Sequence, residues 1–180
     1  MSEPSGPLWV QRFPTGTRTA DLAAPFATNV DRFISALRTG GAQVVVSATL
    51  RPAQRAHLMH YAWRVAREGM DPLTVPAMAG VDIAWAHRNA QGAVDLTQSR
   101  SAAALMVSGY GIVFRPALQS NHTQGRAIDM TVTQYVGRSF VDGRSQRVTL
   151  RTERELHNLG ASYSVLKLAS DPPHWSDDGH

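Results

Sequence analysis

The 180-residue chain contains no cysteine. That absence excludes disulfides, a thiolate nucleophile and a zinc-finger site, so any metal must be held by His, Asp or Glu. No stretch approaches the roughly 18 to 20 apolar residues of a membrane-spanning helix, and membrane insertion is not expected. The N-terminal MSEPSGPLWVQRFPTGTRTADL lacks a basic region followed by an apolar one. No secretory signal is expected there, which predicts synthesis in the cytoplasm. Lysine is nearly absent, with Lys167 alone against 17 arginines. The net charge of +4 suits an anionic partner such as nucleic acid or a cell-wall polymer. The arginines are scattered, however, with no run of four and no basic helix interleaved with aromatics. A nucleic-acid footprint clusters them on one element, so nucleic acid is not an expected partner. A genome rich in Arg and Ala codons is the plainer account of the charge.

What is present reads as a globular α+β protein. Residues 1–25, rich in Pro, Gly, Ser and Thr, read as an extended N-terminal arm, and 26–180 as a single domain. Val30, Phe33, Ile34 and Leu37 recur with helical spacing and predict a helix over 29–39, stopped by Gly40-Gly41. The β-branched run AQVVVSATL (42–50) predicts a buried strand. Pro52 opens a helix that continues to about Glu68. Residues 70–95 look irregular, and a third helix fits 97–108. A strand at 127–133 precedes a hairpin around Asp142-Gly143. A short helix at 152–159 ends at Gly160, and SYSVLKL (162–168) reads as a strand. These elements do not alternate, which favours a small antiparallel sheet with helices packed on it over a doubly wound one.

Chemistry concentrates in SNHTQGRAIDM (120–130). With period two, Ile128, Met130 and Val132 face a core, and Asp129 faces the other way. Gly125 lets the preceding turn bring His122 back toward Asp129. One imidazole and one carboxylate make two of the three protein ligands of a catalytic zinc site. The same spacing also serves a His–Asp hydrogen bond at a strand entry, and both readings stand. Near the C-terminus, SDPPHWS (170–176) offers Asp171 and His174. A polyproline geometry would put these on one side roughly 9 Å apart, with His174 as third ligand and Asp171 as a base. An exposed proline turn is the alternative. His57 and His60 fit a helix surface, and His87, His157 and His180 fit loop or surface positions. Trp175, beside His174, is placed to wall a site.

The pattern S-x-H-x-x-G-x-A-x-D, carried by Ser120, His122, Gly125, Ala127 and Asp129, resembles the first signature of the zinc D-alanyl-D-alanine peptidase family. Asp171 three residues before His174 is similar to its second signature, and SATLRPAQ (47–54) to a third element, an arginine after a strand with a glutamine downstream. Five fixed positions meet by chance in fewer than roughly one chain in a thousand. The resemblance covers about residues 42–176. The family includes D,D-carboxypeptidases, vancomycin-resistance dipeptidases and phage endolysins that cut the L-alanyl-D-glutamate bond, and its fold is shared with the Hedgehog signalling domain.

The resemblance implies one zinc ion per chain held by His122, Asp129 and His174 on the sheet. It implies Asp171 as general base, Arg51 as stabiliser of the oxyanion, and Ser120 and Gln54 as supporting or substrate-positioning groups. The implied substrate is the stem peptide of peptidoglycan. A monomer is expected, reaching the cell wall through holin release or delivery by a secretion system. Dipeptidases of the family carry glutamate where this chain has Asp171, which points to the endolysin or carboxypeptidase branches. The Pro172-Pro173 pair also departs from the family pattern. A non-catalytic zinc-containing binding or signalling module of the same fold is the alternative, although such a module needs neither Asp171 nor Arg51.

Overall fold

Helical spacing of apolar residues and β-branched runs produce, in chain order, twelve named elements in the computed structural model, which describes residues 2–180. They are β1 (Glu3–Pro4), α1 (Phe26–Thr39), β2 (Gln43–Ala48), α2 (Ala53–Arg67), β3 (Ile83–Ala84), α3 (Leu96–Gly109), β4 (Ala127–Thr133), β5 (Ser139–Val141), β6 (Arg147–Thr149), α4 (Glu153–Ser162), β7 (Leu166–Lys167) and β8 (His174–Ser176). The class is α+β. Where the sequence reading has an arm and one domain, the contacts form two compact units. One comprises residues 2–14 and 52–119, the other 15–51 and 120–180.

The first unit is built on α2 and α3, which pack together over Leu58, Tyr61, Val65, Ala103, Met106 and Val107. Residues 2–14 are not a free arm. β1 pairs in parallel with β3, and a 3-10 turn at Pro7–Gln11 buries Trp9 in this core. Its histidines are committed to structure. His57, expected on a helix surface, is buried at 6% exposure against the Tyr61 ring, and burial lowers its pKa. His60 Nδ1 meets the Pro116 carbonyl, and His87 Nε2 meets Ser5.

The second unit holds a four-stranded antiparallel sheet in the order β2-β4-β8-β7. One face packs on α1 and α4 through Val30, Phe33, Leu37, Ile128, Met130, Leu156 and Trp175. The strand β2, expected to be buried, alternates instead: Val44 and Val46 pack on the core, while Val45 is 67% exposed. It lies at the edge of the sheet with one face covered. The hairpin β5–β6 forms around Asp142 as expected, its carboxylate accepting from the Arg144 and Gln146 amides. Helix α4 starts at a capping box between Thr152 and Glu155. It does not stop at Gly160. A Cβ there would lie 2.6 Å from the Trp175 ring, so this glycine serves close packing against β8 rather than termination. Of 162–168, only Leu166 and Lys167 pair as strand, because α4 runs to Ser162 and the chain turns at Ser164 with φ 59°.

Candidate metal centre

The site lies wholly in the second unit, and period-two alternation along β4 creates it. Ile128 and Met130 enter the core, which sends Asp129 to the opposite face. Strand β8 brings His174 directly opposite Asp129. The Met130 amide bonds the Pro173 carbonyl at 2.8 Å. The next pair, Asp129–His174, is therefore the non-hydrogen-bonded kind, in which side chains stand closest. Residues 171–174 do not adopt the expected polyproline geometry. The His174 amide closes a turn onto the Asp171 carbonyl at 3.0 Å. Proline at 172 and 173 leaves no amide there to extend the ladder, so β8 begins only at His174.

His122 arrives from the tight turn before β4. Ser120 and Thr123 clasp this turn, with the Thr123 hydroxyl accepting from the Ser120 amide at 2.8 Å and the Ser120 hydroxyl accepting from the Thr123 amide at 3.4 Å. Gly125 closes it with φ 68°, and a Cβ there would lie 2.9 Å from the Ala23 amide nitrogen. Only glycine fits both demands.

The three side chains converge. His122 Nε2 lies 3.1 Å from Asp129 Oδ1, His174 Nδ1 lies 3.1 Å from the same oxygen, and the two imidazole nitrogens are 3.2 Å apart. Both remote nitrogens face main-chain oxygens: His122 Nδ1 is 2.7 Å from the Thr49 carbonyl, and His174 Nε2 is 3.0 Å from the His180 oxygen. A neutral imidazole has one N–H, and a carbonyl can only accept. With each N–H donated outward, three lone pairs face one another, an arrangement that a cation satisfies. His122, Asp129 and His174 thus form a group compatible with a metal ion.

Electrostatics agree with this geometry. Burial works against ionisation of Asp129, but its close contacts with the His122 and His174 rings outweigh it and hold the carboxyl well below its usual range. His174 is raised by its bond to Asp129, against the opposing effect of burial.

The other predicted residues are distributed as follows. Asp171 is exposed and stands outside the three-residue group, and its charge contributes to raising His174. The Arg51 amide donates to the His122 carbonyl at 3.0 Å, which ties the segment after β2 to the peptide that carries His122. Gln54 lies in the first turn of α2, in the first unit, with its amide nitrogen beside Gly80. Trp175 does not wall the site. It alternates with His174, so its indole is buried in the core, 5.4 Å from the Phe33 ring.

Three contributors escaped the sequence reading. Thr49 and His180 act through main-chain oxygens, which no side-chain pattern reveals. Lys167, the single lysine, directs its ammonium at the carbonyls of Leu168, Asp171 and His174, bracing the turn that carries Asp171. No model of a known protein family matches the chain, and no curated protein matches it.

Proposed function

We propose that this protein is a zinc-dependent peptidase acting on the stem peptides of bacterial peptidoglycan. The observation that carries the reading is the His122–Asp129–His174 convergence at 3.1–3.2 Å, with both remote imidazole nitrogens on main-chain oxygens. A tetrahedron with bonds of about 2.0 Å has edges of about 3.3 Å, so the spacing suits zinc. Three protein ligands without sulfur are the donor set of catalytic rather than structural zinc, leaving one position open. The substrate class rests on the resemblance of Ser120–Asp129 and Asp171–His174 to the zinc D-alanyl-D-alanine peptidases. When bound, zinc supplies an activated water near neutral pH and polarises a carbonyl.

The chain's own residues divide the remaining work. Asp171 stands outside the three-residue group, and its charge contributes to raising His174, which suits a base. It takes the proton of the attacking water and later delivers it to the leaving amine. The turn closed by the His174 amide and braced by Lys167 holds Asp171 next to a ligand. Arg51, a permanent cation, stabilises the negative charge that develops on the carbonyl oxygen. Asp129 keeps its charge across the working pH range because of its two histidine partners.

Mass spectrometry of purified muropeptides incubated with the zinc-loaded protein tests this reading. We expect either cleavage after L-alanine or release of terminal D-alanine. The Asp171→Asn variant should keep its zinc and lose hydrolysis by about 10² to 10⁴. Intact muropeptides would leave a non-catalytic zinc module. Loss of zinc in Asp171→Asn would make Asp171 a ligand and close the site.

A further inference from the structure

We propose that the segment Ser176–His180 is a positioning element that sets the affinity of the metal centre by fixing the tautomer of His174. The inference rests on the metal-site reading above and assigns function to residues outside the ligand signature. After β8 the chain folds back, and the His180 main-chain oxygen lies 3.0 Å from His174 Nε2. That oxygen can only accept, so the ring must place its N–H on Nε2 and present the Nδ1 lone pair to Asp129 and His122.

The fold-back is held at several points. Asp178 is the pivot: its Oδ1 accepts from the Asn121 side-chain amide at 2.7 Å, the His180 amide at 3.1 Å and the Ser176 hydroxyl at 3.2 Å. The Asn121 amide also donates to the same His180 oxygen at 2.8 Å. The Gly179 amide bonds the Ser176 hydroxyl at 2.8 Å, and Gly179 has φ 82°, which the tight return requires. Arg126 clamps the base of the hook, with a two-pronged pair to Asp177 at 2.7 and 2.9 Å and a contact to Asp178 at 3.3 Å.

Asn121 sits next to ligand His122, and Arg126 lies between that turn and β4. The same hook therefore joins the turn bearing one ligand to the strand bearing another. Without it, the His174 ring is free to place its N–H on Nδ1, which faces two other acceptors and is closed to a metal. Residues that orient a ligand through its remote nitrogen typically govern about 10- to 100-fold of metal affinity.

The experiment uses the full chain and the variants Asp178→Ala, Asn121→Ala and Asp178→Asn. Zinc affinity is measured by competition with a chromophoric chelator, and the His174 tautomer of the ion-free protein by long-range ¹H–¹⁵N correlation spectra. We expect both alanine variants to bind zinc about 10- to 100-fold more weakly and to show a mixed His174 tautomer. Asp178→Asn keeps an oxygen for the Asn121, Ser176 and His180 donors and should stay near the parent. Unchanged affinity in both alanine variants, or an Nε2–H tautomer that persists without the hook, overturns the proposal. If Asp178→Ala fails to fold, as judged by circular dichroism, Asn121→Ala decides alone. A parent protein that takes up no zinc defeats the metal reading, whereas the tautomer spectra still judge the hook.

Discussion

Metal binding should raise the thermal stability of this protein, and its size can be worked from the site. Three acceptor atoms lie 3.1–3.2 Å apart, and two of the three residues that carry them are at least nine-tenths buried. Unfolding scatters them, because His122 and His174 are 52 residues apart in sequence. An ion that binds the folded chain and not the unfolded one adds about 2.7 kcal/mol at a free concentration one hundred times its dissociation constant. For a chain of this length each kcal/mol moves the midpoint by about 2–4 °C, so the expected rise is about 5–11 °C. Differential scanning fluorimetry in zinc-buffered and chelator-treated samples measures it directly. His122→Ala and His174→Ala should melt at one temperature in both samples. Each removes one of the three converging side chains and takes the imidazole partner from a main-chain oxygen, Thr49 or His180. A parent midpoint that zinc does not move, or a His174→Ala variant that zinc still stabilises fully, would refute the ligand assignment.

Arg51→Ala should retain zinc and lower hydrolysis of muropeptides by about 10² or more, and Arg51→Lys should recover little, because a point charge lacks the planar fork; turnover near the parent value removes Arg51 from the reaction. Gly125→Ala places a Cβ 2.9 Å from the Ala23 nitrogen at φ 68°. It should cost about 1–3 kcal/mol in chemical denaturation and weaken zinc binding through His122, and parent-like values for both would remove that turn as a determinant. Tyr110 is pushed up to about 12, chiefly by burial and partly offset by Arg55. Its folded pKa lies above the unfolded value near 10, so its contribution to stability is complete below about pH 10 and declines as pH rises toward 12. Tyr110→Phe should flatten that alkaline decline in denaturation midpoints taken at pH 9 and 11.5, and an equal decline in both proteins would exclude Tyr110 as its cause.

Local signals in the sequence determined a good part of this molecule. Val30, Phe33, Ile34 and Leu37 mark α1 because helical spacing must bury one stripe, and all four are buried. Strand β4 follows from period two, which alone sends Asp129 away from Ile128 and Met130. Gly125 before that strand predicts a turn returning His122 to it, and the two side chains meet at 3.1 Å. The spacing of Asp171 and His174 marks a second cluster, but local geometry misplaces it: a closed turn stands where an extended proline segment was the natural reading. The alternation that presents His174 also drives Trp175 into the core, a consequence visible only once β8 pairs with β4.

Tertiary structure alone decided how the three converging side chains are held. The Thr49 and His180 oxygens that orient the two imidazoles come from 73 residues before His122 and 6 residues after His174. Every residue carries a main-chain oxygen, so composition and motif cannot mark the two that matter. The same holds for Lys167, whose ammonium collects three carbonyls that only the folded turn brings together. Side-chain identity is written in the sequence and sets which chemistry is available. Which lone pair points where depends on backbone groups brought together across the fold, and that is fixed only when the strands pair.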